Sequence, residues 1–86
     1  MASEDMGLAP GEVMKWMREA AGLSQRSLSA SLGRSSSWVG VSENPARDPS
    51  LSTVCKVASA CGFGLEVYKL SSGESVAKIE GHSEGI

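Results

Sequence analysis

Within the segments Met14–Ala21, Leu28–Leu32 and Leu51–Cys61 apolar residues recur every three or four positions, and beyond Gly64 that period changes, so the chain reads as a helical body followed by strand. Met14, Met17 and Ala21 form one stripe on a first helix that starts near Pro10 and ends at Gly22. Pro10 suits a first turn because its missing N–H would be unpaired there, and Glu12 meets the positive end of the helix dipole. Ser24 is a natural N-cap for a second helix, whose inner face carries Leu28 and Leu32 one turn apart. Gly33 supplies the left-handed or tightly bent backbone for a sharp turn into a third helix. That helix is expected to open at Ser35, capped by its hydroxyl, and to run to about Glu43 with Val39 as its inward anchor. Asn44 and Pro45 end it. Ser50 then caps a fourth helix that carries Leu51, Val54, Val57, Ala58 and Cys61 and stops at Gly62 and Gly64. Leu65 to Leu70 has strand character, Ser71 to Glu74 reads as a turn, and Ser75 to Glu80 returns as a second strand.

The pattern divides the chain into a flexible N-terminus (1–7), a helical domain (8–63), a strand or hairpin (64–80) and a flexible tail (81–86). A total of 86 residues leaves room for one compact domain with a core near the lower limit of independent stability, which dimerisation would relieve. Cys55 and Cys61 fall six apart in one helix, on different faces and too far apart to bridge, and read as small core residues of a reducing compartment. No apolar run approaches the ~20 residues that span a bilayer, and the acidic start lacks the basic opening of a secretory signal. The expected location is the cytoplasm, with no membrane partner.

Arg18, Gly22-Leu23-Ser24-Gln25, Leu28, Leu32-Gly33, Ser35, Val39, Glu43-Asn44 and Pro49-Ser50-Leu51 follow one another at fixed spacing without gaps. This set, spread over Val13 to Phe63, resembles the Cro/CI-type (XRE) helix-turn-helix family of phage repressors and bacterial regulators. The fold implied is mainly α, a four- to five-helix lambda-repressor-like DNA-binding domain with a C-terminal β-strand or hairpin. Three positions depart from the family's habit: Ser29 in place of alanine, Ser42 in place of a large apolar residue, and Pro45 in place of glycine. Ser42 removes packing worth roughly 1.5–3 kcal/mol for a large side chain, so Trp38 or Trp16 is expected to fill the space.

In such a unit the third helix enters the major groove of double-stranded DNA and its outward residues meet base edges. The resemblance assigns that role to Ser36, Ser37 and Val41, with Gly40 on the same face and Ser35 and Trp38 beside them. With no Arg, Lys, Asn or Gln there for bidentate contacts, the base code is expected to be permissive or shape-dependent. Phosphate positioning falls to Gln25 and the amide ends of helices two and three, with Arg26, Arg34 and Arg47 adding charge. The whole chain carries a net charge of −2. Between Leu23 and Lys56, however, Arg26, Arg34, Arg47 and Lys56 face only Glu43 and Asp48, and the acidic excess lies toward the two ends.

The plainer alternative for the serine run is a solvated helix start, and Trp38, next to a core valine, suits packing better than a DNA contact. Arg18 and Glu43 stand where the family commonly pairs an arginine with a glutamate between helices one and three, a structural role. His82 has no second ligand near it. No nucleophile–base–orienter set, phosphate-cradling glycine loop or metal-ligand spacing is present in the sequence, so neither an enzyme nor a cofactor is expected.

A lone strand or hairpin is marginal in water, so Leu65 to Leu70 is expected to pair with the same strand of a second subunit in a homodimer. The alternative is a hairpin packed on its own domain. A four-helix unit followed by such a strand is similar to HipB-type antitoxins, and the likeness implies self-repression through an inverted-repeat operator and a toxin protein partner. The sequence therefore carries two readings, a homodimeric repressor and an antitoxin-like interaction partner with secondary DNA binding.

Overall fold

The computed structural model describes residues 8–79, and the expected flexible ends, Glu80 and His82 lie outside the described residues. Its elements run α1 (Pro10–Ala20), α2 (Gln25–Ser31), α3 (Trp38–Ser42), α4 (Leu51–Cys61), β1 (Leu65–Tyr68) and β2 (Ser75–Ile79). Local chemistry sets most of these limits. Pro10 opens α1 while the Glu12 carboxylate accepts from the Ala9 N–H at 2.8 Å. Ser24 Oγ and Ser50 Oγ accept from the N–H groups of Ser27 and Thr53 at 3.0 and 3.1 Å, capping α2 and α4. Past α2 the chain reverses through Gly33 at φ +70°, a conformation that side chains resist, and the Arg34 N–H returns to the Ser29 carbonyl at 2.9 Å.

Met14, Met17, Leu28, Val39, Val54, Val57 and Ala58 form one buried core, to which all four helices contribute. Leu23, Leu32, Trp38, Phe63 and Leu65 pack around it. Three expected core positions lie elsewhere, among them Cys55, half-buried outside the core cluster. Ala21 is the exposed C-cap residue of α1, and Leu51 is 63% exposed because it is the first residue of α4. Leu51 instead lines an open apolar groove with Leu8, Pro10, Val13, Pro49 and Val54.

Gly11 is buried where α1 crosses the end of α3; a Cβ there would lie 2.7 Å from the Glu43 carbonyl oxygen and 3.1 Å from that of Ser42. Backbone meets backbone at this crossing. The expectation that a tryptophan fills the space beside Ser42 is corrected by the packing. Trp16 leans on Phe63, ring centroids 5.5 Å apart, while Trp38 forms one wall of a cleft that stays open among Val41, Ser42, Arg47, Asp48, Pro49 and Thr53.

β1 and β2 make an antiparallel hairpin within one chain, with Leu65 opposite Ile79, Glu66 opposite Lys78 and Val67 opposite Ala77, then an irregularity between Val67 and Tyr68. The turn is tied by the Lys69 N–H to the Glu74 carbonyl at 2.9 Å, so β1 ends at Tyr68, two residues before the expected Leu70. Opposed pairs share a face, which puts Leu65, Val67, Ala77 and Ile79 together. Only Leu65 and Ile79 on that face are half-buried. Val67, Tyr68 and Val76 are about half exposed and Leu70 is 90% exposed, so most of the hairpin stands clear of the helices.

Candidate nucleic-acid interface

Three contacts fix α3 against the rest of the domain. The first is ionic: Arg18 Nε and Nη2 donate to the two carboxylate oxygens of Glu43 at 2.6 and 3.2 Å, with both residues buried. The hydrogen bond to Glu43 raises the Arg18 pKa against the opposing effect of burial, so the guanidinium stays charged. Arg18 Nη1 also donates to the Leu23 carbonyl at 2.8 Å, tying the α1–α2 turn to the same pair.

The second contact is Ser29, wholly buried on α2, whose Oγ accepts from the Val39 N–H at 3.0 Å. The hydroxyl that departs from the family's alanine thus caps α3 from a neighbouring helix. Third, Gln25 Nε2 donates to Glu43 Oε1 at 3.1 Å, so the first residue of α2 is held to the last turn of α3.

The third helix is shorter than its sequence suggests. It occupies Trp38–Ser42, and Ser37, which precedes it, makes no side-chain capping bond. Ser35 contributes its carbonyl oxygen, which accepts from the Trp38 N–H at 3.0 Å, and not its hydroxyl. Ser35, Ser36 and Ser37 therefore lie exposed on the turn that leads into α3. With the Trp38 and Val39 amides engaged internally, the start of α3 does not offer those two groups to a phosphate, contrary to the expectation for its amide end.

The expected site residues fall into small groups. Arg34 stands 5.2 Å over the Trp38 ring, a cation–π contact that holds the charge above the turn while the half-buried indole packs on the core. Trp38, Val41 and Arg47 line one open cleft, which places the α3–α4 loop beside the outer face of α3. Val41 is 46% exposed, Gly40 lies half-buried under Gln25, and Arg26 is exposed on α2. Ser29 and Gly11, which set the pose of α3, were absent from the expected site. The signals for Ser29 are its departure from the family's alanine and its polar side chain beside Leu28 on the inner half of a helix.

Among the described residues, no helix is long and apolar enough to cross a membrane and no group of three His, Cys, Asp or Glu is placed to hold a metal ion. No curated protein and no solved structure matches the chain. A family model described as a helix-turn-helix domain matches residues 11–68, covering the four helices except for Pro10 at the start of α1 and taking in β1 of the hairpin. With a short α2, a glycine turn and an α3 clamped by buried polar contacts, the chain belongs to this helix-turn-helix domain family.

Proposed function

We propose that the protein is a homodimeric transcriptional regulator that represses by binding an inverted repeat in double-stranded DNA. The observation that carries this reading is the rigid α2–α3 unit, whose pose is set by the Arg18–Glu43–Gln25 contacts and the Ser29 cap while its outer surface carries exposed serines and arginines. Ser36, Ser37 and Val41 meet base edges from the turn and α3, with Ser35, Trp38 and Gly40 shaping that surface. Arg26, Arg34, Arg47 and Gln25 hold phosphates. Serine and valine give a sparse code, so the sequence of the site enters partly through its shape.

The second subunit is needed because each copy presents little to the groove. The hairpin supplies the contact: Val67, Tyr68, Leu70 and Val76 are exposed apolar or aromatic groups on an element that is weak alone. Pairing of two hairpins covers them and sets two α3 helices on one side of a duplex. The same exposed hairpin also favours a second reading, an antitoxin-like regulator whose hairpin docks a different protein.

Selection of duplexes from a random pool, followed by footprinting, tests the proposal. The expected product is an inverted repeat with half-site centres about 34–36 Å apart, one helical turn. Recovery of single unrepeated half-sites contradicts the dimer, and failure to enrich any duplex at low salt favours the second reading.

A further inference from the structure

Gly40 and Gln25 form a pair that the surface chemistry of α3 does not explain. Gly40 sits inside a five-residue helix, where glycine is the costliest ordinary residue, roughly 1 kcal/mol worse than alanine. Its φ is not positive and its backbone needs no glycine. What glycine provides here is space: a Cβ on Gly40 would lie 3.0 Å from Gln25 Oε1 and 3.4 Å from its Cδ. The Gln25 carboxamide lies across α3 in the room left by the missing side chain, and from that seat its nitrogen reaches Glu43 Oε1 at 3.1 Å.

The orientation of the amide follows from the partner. Glu43 is the carboxylate of a buried ion pair and can only accept, so the nitrogen of Gln25 must face it and the oxygen must face Gly40. One of the two Nε2 hydrogens is thereby used. The other stays on an exposed residue at the start of α2. Glu43 is itself gripped by Arg18, so the seat is anchored in the core.

We propose that Gly40 is a positioning residue for DNA: by leaving out a side chain it seats the Gln25 carboxamide on Glu43 and aims the remaining Nε2 hydrogen at a backbone phosphate. The inference rests on the DNA-binding reading above. It gives Gly40 a role through Gln25, in place of direct contact with a base, and accounts for a helix-weakening residue in the shortest helix. Substitution with alanine should improve the helix intrinsically while forcing the amide to give by a few tenths of an ångström and loosening its hold on Glu43.

Gly40→Ala, Gln25→Ala and the double variant are prepared in the full chain and measured for stability in urea, affinity for a selected duplex, and the side-chain amide resonances of Gln25. Gly40→Ala is expected to be about as stable as the parent, the gain in helix propensity being offset by the weakened Gln25–Glu43 bond, to move the Gln25 amide resonances, and to bind DNA roughly three- to ten-fold more weakly, as for loss of one hydrogen bond. Because Gln25 is neutral, the slope of affinity against salt stays the same. In the Gln25→Ala background the Gly40→Ala change should cost nothing further. An equal loss of affinity in both backgrounds overturns the proposal by showing that Gly40 acts directly, and unmoved Gln25 resonances overturn the seat. A parent protein that binds no duplex at low salt overturns the DNA-binding reading instead, and the phosphate role with it, whatever the resonances show.

Discussion

Ser29→Ala deletes one oxygen from the interior and leaves the rest of the side chain's shape in place. The lost atom accepts the Val39 N–H at 3.0 Å, and Ser29 is fully buried, so water cannot take over. An unpartnered buried donor costs about 1–3 kcal/mol. Alanine returns up to about 0.7 kcal/mol of helix propensity in α2, which leaves a net loss of roughly 0.3–2.3 kcal/mol. For a domain this small that corresponds to a fall in Tm of about 1–18 °C, at 4–8 °C for each kcal/mol. Urea and thermal unfolding followed by the fluorescence of Trp16 and Trp38 read the change directly. Ser31→Ala, an exposed site on the same helix, supplies the control, since it gains propensity and loses nothing buried. The family's usual alanine at position 29 makes the experiment sharp. If Ser29→Ala is as stable as Ser31→Ala, the Val39 amide has found another partner and the hydroxyl is not what starts α3.

Arg18→Met removes the cation from a buried carboxylate and is expected to cost about 3–5 kcal/mol in urea unfolding, well beyond any surface arginine. Burial raises the Cys61 thiol pKa, so the folded chain keeps a proton that the unfolded chain gives up sooner. Stability measured against pH should therefore be unaffected by Cys61 at neutral pH and fall as pH rises past the usual thiol range, and Cys61→Ala should flatten that fall. Val67→Asp together with Leu70→Ser is expected to convert a dimer to a monomer in sedimentation while the helical circular dichroism is retained. An unchanged sedimentation coefficient would move the dimer contact away from the hairpin.

The sequence was most informative where structure is decided locally. Ser24 and Ser50 cap the helices predicted for them, and Gly22, Gly33 and Gly62 adopt positive φ at the expected helix ends. The switch of period beyond Gly64 and the turn residues located the hairpin, but not that Val67 and Leu70 would stand exposed on it. Misplacement had specific causes. Any of Ser35, Ser36 and Ser37 is a good N-cap, and the choice among starts was made by Ser29, a residue from another helix. Leu51 has the right spacing for a core stripe but is the first residue of its helix, which periodicity alone cannot weigh. Gly11 and Gly40 are glycines because something approaches them closely, and approach between distant segments is invisible until the chain is folded. Of the candidate site, Arg34, Trp38, Val41 and Arg47 converge near α3, whereas Gln25 turned out to be tied to Glu43 as well as exposed.

Titration of the full chain against a duplex carrying its selected site, between 50 and 200 mM salt, tests the central claim of DNA binding most directly. Arg26, Arg34 and Arg47 on phosphates in both copies of a dimer predict a line of log affinity against log salt with a slope of about −5, from roughly −0.9 per phosphate neutralised. Arg34→Ala or Arg47→Ala should each reduce the magnitude of that slope by about two, one for each copy. An affinity that is immeasurable at the low-salt end, or one that is indifferent to salt and to both substitutions, would contradict the account.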